Sequence, residues 1–373
     1  MFVKVLKNIF SGSRSGRQQD STPASDDALA CERWQKELIK RMFRLMHTFE
    51  QDNFDADRYL GIGPDVFFDG YHAAYFSFLL KHVEQFHQAR MLLADEASRA
   101  LYDQLILFRV LGHRHVRLPF NNPENRAQIA VAELWRVQET KDVGKFGPLS
   151  IYQVPGDGHD IRIKGWKENV TWTFLYRQYY FERGAVKIAP APGDRVVDAG
   201  GCFGDTALGF ADVVGERGHV YVFDPMPKHC AIMREAVAMN PSLAPRISIF
   251  PVGLAAQGND VAQLREDDDM INPGARIVMD KVPTTTIDEM AARNNVPRFD
   301  FIKMDIEGSE LSALQGAKSS ILRWRPKLAI SLYHRNEDFF AIPLWIDALG
   351  VGYRLFLDHY TIHNEETVLY ALV

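Results

Sequence analysis

The stretch Arg195-Val-Val-Asp-Ala-Gly-Gly-Cys-Phe-Gly-Asp-Thr-Ala-Leu-Gly-Phe210 decides how the rest of the chain is read. It joins a short apolar strand (Val196, Val197), a glycine turn (Gly200, Gly201, Gly204) and the start of an apolar helix. Glycines allow a sharp bend and a close backbone approach to a ligand, because no Cβ stands in the way. Amides at the start of the following helix point at that ligand. Asp198 ends the strand before the glycines, and a second acid, Asp224, ends the next strand, Val220-Tyr-Val-Phe-Asp224. An acid in the second position holds ribose hydroxyls in dinucleotide sites, so a nucleoside-bearing cofactor is expected.

Which cofactor follows from the rhythm of the glycines. A dinucleotide fingerprint needs G-x-G-x-x-G over a pyrophosphate, and Gly200-Gly-Cys-Phe-Gly204 lacks that spacing. Asp198, directly before the turn, would repel phosphates but suits an ammonium group. S-adenosylmethionine carries such a group and no phosphate. The pattern Asp-x-Gly-x-x-x-Gly resembles the first motif of class I methyltransferases, with Cys202 where many members have a glycine. The competing readings are a nicotinamide-dependent oxidoreductase, an inactive cofactor-binding scaffold, and a plain strand–turn–helix connection with structural glycines.

Composition sets the outer bounds. The chain has 373 residues, 46% hydrophobic and 24% charged, enough for a full core in two domains or one enlarged one. A net charge of -5 gives no reason to invoke nucleic acid or an anionic membrane. The three cysteines (Cys31, Cys202, Cys230) are scattered without metal spacing, which suits a reducing compartment. No apolar run is long enough to span a bilayer, and the first ten residues are too short and too polar for a secretory signal. A cytoplasmic protein is expected.

Outward from the glycine turn, four regions are expected. Residues 1–27 read as a flexible basic and polar tail, residues 28–148 as a helical accessory domain, and residues 149–190 as a β-hairpin with an aromatic-rich connector. Residues 191–373 read as the cofactor-binding domain. Helices are expected at 28–54, 71–93 and 95–111 from their apolar spacing. Their histidines (His72, His82, His87, His113, His115) show no zinc spacing. The hairpin spans 149–154 and 161–164, and the aromatic stripe at 170–181 reads as core packing. Downstream, strands and helices alternate, which argues for a parallel sheet covered on both faces. Residues 255–282 read as irregular, with the acidic run 266–269 as a solvated loop. Strands at 353–360 and 367–373 lie too close for a crossover helix and form an antiparallel hairpin.

These elements carry a closer resemblance. Val196-Val-Asp-Ala-Gly-Gly-Cys-Phe-Gly-Asp-Thr-Ala207, Phe223-Asp-Pro-Met-Pro227, Thr285-Thr-Ile-Asp288 and Phe301-Ile-Lys-Met-Asp-Ile-Glu-Gly-Ser-Glu310 resemble the FkbM-type methyltransferases. So do Pro326-Lys-Leu-Ala-Ile-Ser-Leu-Tyr-His334 and Glu366-Thr-Val-Leu-Tyr370; the likeness covers about 185–373. Asp224 stands where that family more often has glutamate, and either can hold a diol. The resemblance implies an α/β, Rossmann-like doubly wound sheet with a C-terminal antiparallel hairpin. It also implies methyl transfer to oxygen, often on a sugar, glycan or secondary metabolite. The expected cofactor contacts are Asp198, Gly200, Gly201, Cys202, Phe203, Gly204, Asp205, Thr206, Asp224, Pro225, Met226, Val252, Gly253 and Asp305.

Methyl transfer from a sulfonium is an in-line displacement, so catalysis is mainly placement of the acceptor oxygen. A general base helps by taking the hydroxyl proton. His334 is the expected base, since an unperturbed imidazole titrates near neutrality, with Asp305, Glu307 and Lys303 as its catalytic neighbours. Lys303 also reads as one half of a structural ion pair. No metal is expected; the alternative is a divalent ion on Asp305, Glu307 and His334.

Overall fold

The computed structural model describes residues 26–55, 70–139, 149–258, 261–266 and 278–373. The expected tail up to residue 25 and the acidic run from 267 lie outside the described residues. In chain order, the first half holds α1 (Asp26–Leu45), α2 (Tyr71–Lys81), α3 (Val83–Leu92), α4 (Glu96–Leu111) and α5 (Pro123–Leu134). Then come β1 (Arg136–Glu139), β2 (Ser150–Pro155), β3 (Asp160–Gly165), α6 (Lys167–Val170), β4 (Phe181–Arg183) and β5 (Val186–Ile188). The second half begins with β6 (Arg195–Ala199), α7 (Asp205–Val214), β7 (His219–Phe223), α8 (Pro227–Ala238), β8 (Ile247–Phe250) and β9 (Gly253–Leu254). It continues with β10 (Val261–Glu266), β11 (Val278–Thr285), α9 (Ile287–Arg293), β12 (Phe301–Met304), α10 (Glu310–Gln315) and α11 (Lys318–Trp324). It closes with β13 (Lys327–Ser331), α12 (Asp338–Ala348), β14 (Arg354–His359) and β15 (Thr367–Leu372).

Seven strands form the main sheet in the order β14-β15-β13-β12-β6-β7-β8. β6, β7, β8, β12 and β13 run parallel, and β15 inserts antiparallel between β13 and β14. All four residues of β12 are buried, as helices on both faces require. The chain steps outward from β6 to β8, then returns to β12 on the other side of β6. That reversal makes a switch point between β6 and β12, where open α/β sheets bind ligands. Their parallel register sets Lys303 opposite Asp198 and Met304 opposite Ala199.

Helices α2 to α4 pack on the second half through α12. Phe340 sits among Phe78, His82 and Phe86 at centroid distances of 6.0, 5.3 and 5.2 Å. The Tyr102 hydroxyl donates to the Phe339 carbonyl at 3.0 Å, and the Ala94 amide donates to the Leu355 carbonyl at 2.7 Å. One apolar cluster therefore runs from Trp34 and Phe86 through Phe339 to Ile302. No helix among the described residues is long and apolar enough to cross a membrane.

Several local expectations change. The helix expected at 71–93 is two helices, broken at His82, whose ring lies 4.6 Å from that of Phe78 and stacks on Phe340. The helix α5, capped by Asn122 with Pro123 in its first turn, was hidden by the lack of an apolar stripe. Residues 261–266 and 278–283 pair as an antiparallel hairpin where irregular chain was expected; the partner strand, not local pattern, decides this. Between β12 and β13 the chain forms two short helices, α10 and α11, parted at Gly316, where a Cβ would lie 2.1 Å from the Ala255 carbonyl oxygen.

The C-terminal hairpin carries a pH liability. His359 is 4% exposed and its Nδ1 lies 2.9 Å from Thr367 Oγ1. Burial, reinforced by Arg109 and His363, pushes its pKa down to about 3. Folding therefore favours the neutral ring: this stability is full above the unfolded pKa of about 6.5 and falls with pH below it. Urea denaturation at pH 7.5 and 5.5 should show the wild type losing about 1.4 kcal/mol more than His359→Gln. Equal losses in the two proteins would overturn the assignment.

Candidate active site

The carboxyl ends of β6, β7, β12 and β13 bring the expected residues to one edge of the sheet. Gly200 (φ +82) makes this possible: a Cβ there would lie 1.8 Å from the Asp305 carbonyl oxygen. Gly204 (φ +89) caps α7, and a Cβ on it would meet Met233 Cγ at 2.8 Å. A Cβ on Gly201 would meet Val222 Cγ1 at 2.2 Å. Cys202 holds φ +44 without being glycine, and burial, with Asp205 and Asp224, raises its thiol well above the ordinary range.

Asp198 is not open to a ligand ammonium. Its Oδ1 lies 3.0 Å from Lys303 Nζ and its Oδ2 accepts from the Thr206 hydroxyl at 2.7 Å. Lys303 Nζ also donates to the carbonyl oxygens of Gly200 (2.7 Å) and Ala199 (3.2 Å). Burial alone would lower the Lys303 pKa, but Asp198 and Asp305 outweigh it and raise it. Lys303 thus pins the glycine turn to β12. Asp205 likewise faces inward, bonded by the Thr173 hydroxyl, and burial pushes its pKa up to about 6.

Asp224 is buried, with its carboxylate held by backbone amides and His229. Its Oδ2 accepts from the Cys202 amide and its Oδ1 from the Met226 amide, both at 2.9 Å. His229 Nδ1 approaches the two oxygens at 3.1 and 3.2 Å. The sequence reading missed His229, which lies one helical turn beyond the Asp-Pro-Met-Pro segment. Phe203 packs edge-on against both His229 and Trp166. Pro225 neighbours Gly253, beside a partly buried Val252.

At the other side of the crevice, Asp305 accepts from the Tyr179 hydroxyl (2.7 Å, on Oδ2) and the Tyr333 hydroxyl (2.9 Å, on Oδ1). Burial would raise its pKa, but His334, Lys303 and the two phenols outweigh this and lower it. His334 Nε2 lies 3.3 Å from Asp305 Oδ1 and 3.5 Å from Glu307 Oε2; Nδ1 lies 2.8 Å from Glu310 Oε1. Burial would lower the His334 pKa, but Glu310, Asp305 and Glu307 push it up to about 10. The neutral imidazole that a general base requires is therefore not the form held here at neutral pH. Tyr179 had been read as core, and Glu310, fully buried, had been passed over within its motif. Glu307 (φ 55) points outward with an 87% exposed side chain.

Residues 198–355 match the family model described as the methyltransferase FkbM domain. This stretch is thus similar to the methyltransferase FkbM domain. A methyltransferase FkbM from Methylobacillus flagellatus KT has a similar fold: TM-score 0.52 and 20% identity, over 81% of this chain and 62% of that one. The chain thus spans about three-fifths of that protein's length. Looser overlaps include a putative rRNA-methylase from Clostridium thermocellum (TM-score 0.33, 14% identity, 54% of this chain, 93% of that one). Another is fibrillarin from Aeropyrum pernix with bound S-adenosyl-L-methionine (TM-score 0.31, 13% identity, 64% of this chain, 99% of that one). No curated protein matches the chain at a significant level.

The buried pair gives a direct test of the structural role of Lys303. Lys303→Met leaves Asp198 charged, buried and unpaired, which should cost about 3–5 kcal/mol in urea denaturation. The double variant Asp198→Asn/Lys303→Met should recover most of that loss. A double variant as unstable as the single one would overturn the structural role.

Proposed function

We propose that the protein is an S-adenosylmethionine-dependent methyltransferase that methylates a hydroxyl oxygen on a sugar, glycan or secondary metabolite. The observation that carries this reading is the convergence of the Gly200, Gly201 and Gly204 cradle, Asp224 and Asp305 at the switch point of the sheet, within the stretch similar to the FkbM domain. Each of these glycines sits where a Cβ would collide with the protein's own atoms, Asp305 O, Val222 Cγ1 or Met233 Cγ, so the turn can lie close against β12, β7 and α8. Each Asp224 oxygen already accepts one amide, and its remaining lone pairs face His229, where a ribose diol can bond instead.

When bound, S-adenosylmethionine supplies an electrophilic methyl group on a sulfonium. The chain's own residues supply placement. Tyr179 and Tyr333 hold Asp305 at the crevice, where it and the phenols can orient an acceptor rich in hydroxyls. Glu307 would take the proton that the acceptor hydroxyl sheds on methylation. Its exposed carboxylate suits that role better than the proton-loaded His334.

Calorimetry with S-adenosylhomocysteine tests the cofactor half of the reading. Wild type should bind it and not NAD, and Asp224→Ala should weaken binding by about 1.5–3 kcal/mol, or tenfold and more. An unchanged dissociation constant would reject Asp224 as the ribose ligand. For the chemistry, Glu307→Gln should lower turnover by roughly 10²–10⁴-fold with unchanged S-adenosylhomocysteine affinity. Normal turnover in that variant would reject Glu307 as the base.

A further inference from the structure

Asp305, Glu310 and His334 converge more tightly than packing requires. One ligand atom from each lies within 4.8 Å of the others, and among the described residues no other such group of His, Cys, Asp and Glu exists. The His334 side chain is 8% exposed and Glu310 is fully buried. Both His334 ring nitrogens and Glu310 Oε2 are buried without an aligned hydrogen-bond partner. The contacts between His334 and the carboxylates, 2.8 Å to Glu310 and 3.3 Å to Asp305, are ion-pair distances only. Buried polar atoms in native proteins nearly always have a partner, and here a water or an ion can supply it.

The sequence sets the three residues on three supports. Asp305 follows β12, His334 follows β13, and Glu310 opens α10. Glu310 is also anchored by the Ile306 amide, which donates to Oε1 at 2.7 Å, so its second oxygen is held in place. Asp305 is fixed by two phenols. Lys303, the nearest fixed cation, is already committed to Asp198. Three carboxylates, Asp305, Glu307 and Glu310, thus surround one imidazole, with Asp338 behind Glu310 as a further acid.

We propose that Asp305, Glu310 and His334 form a divalent-cation site, for an ion of the Mg²⁺ or Mn²⁺ kind. Two carboxylates and one imidazole suit these ions, which fill their remaining positions with water or substrate oxygens. The set differs from the alternative weighed from sequence, where no metal was expected: buried Glu310 takes the place of exposed Glu307, which keeps a 3.5 Å contact to His334. A cation here polarises a hydroxyl that enters its coordination sphere and so makes the oxygen a better nucleophile. That use rests on the methyl-transfer reading above; the binding itself does not.

The test uses the full chain after dialysis against chelator, with Mn²⁺ as the probe and no methyl donor or acceptor present. Loss of the free Mn²⁺ electron-paramagnetic-resonance signal should show one ion bound per chain, and added Mg²⁺ should compete for the site. His334→Ala and Glu310→Gln should each weaken Mn²⁺ binding by at least tenfold. No stoichiometric uptake by the wild type at millimolar Mn²⁺ overturns the site, as does wild-type affinity in either variant. S-adenosylhomocysteine calorimetry on the same preparation separates the two readings: intact nucleoside binding without Mn²⁺ uptake removes the cation site alone, and Mn²⁺ uptake without nucleoside binding removes the cofactor reading alone.

Discussion

The Asp198–Lys303 pair is the constraint on which the rest of the site depends. A buried charge is tolerated only when paired and hydrogen-bonded, and here parallel register places the two residues side by side on adjacent strands. Lys303 then bonds the Ala199 and Gly200 carbonyls, so the same ammonium that neutralises Asp198 also shapes the glycine turn. Thr206 completes the arrangement from the first turn of α7. Turn, strand and helix are locked together by one cation.

That lock explains the contrast between the two sides of the crevice. Around β6 and β7 the charges are matched, with Asp198 against Lys303 and Asp224 against backbone amides and His229. Beyond β12 and β13 they are not: Asp305, Glu307 and Glu310 share a single histidine. One side of the crevice is electrostatically matched, and the other holds more carboxylates than cations.

The helical half contributes through α12 rather than through side chains at the crevice. His334 lies just before α12, and Phe339 and Phe340 at its start are gripped by Tyr102, Phe78 and Phe86. The Arg335 amide donates to Asp338, tying the connecting turn to the helix. Packing of α2 to α4 therefore steadies the segment that carries His334.

Much of this was legible in the residues themselves. The apolar runs of β6, β7 and β12, the glycines and the acids at strand ends declare a switch-point site, because strand periodicity and glycine geometry are local properties. The closing hairpin was legible for the same reason: its connection is too short for any other topology. What the sequence could not reveal were the partners. Whether Asp198 meets a ligand or Lys303 depends on strand register, whether Tyr179 is core or site wall depends on where β12 ends, and whether Glu310 or Glu307 faces His334 depends on a left-handed backbone at Glu307. Charge state follows partners, so the pKa of His334, an ordinary histidine on paper, is raised only once three carboxylates are brought around it. Residue types set the chemistry available at the sheet edge; tertiary proximity decided which of those groups are already paired and which remain to act.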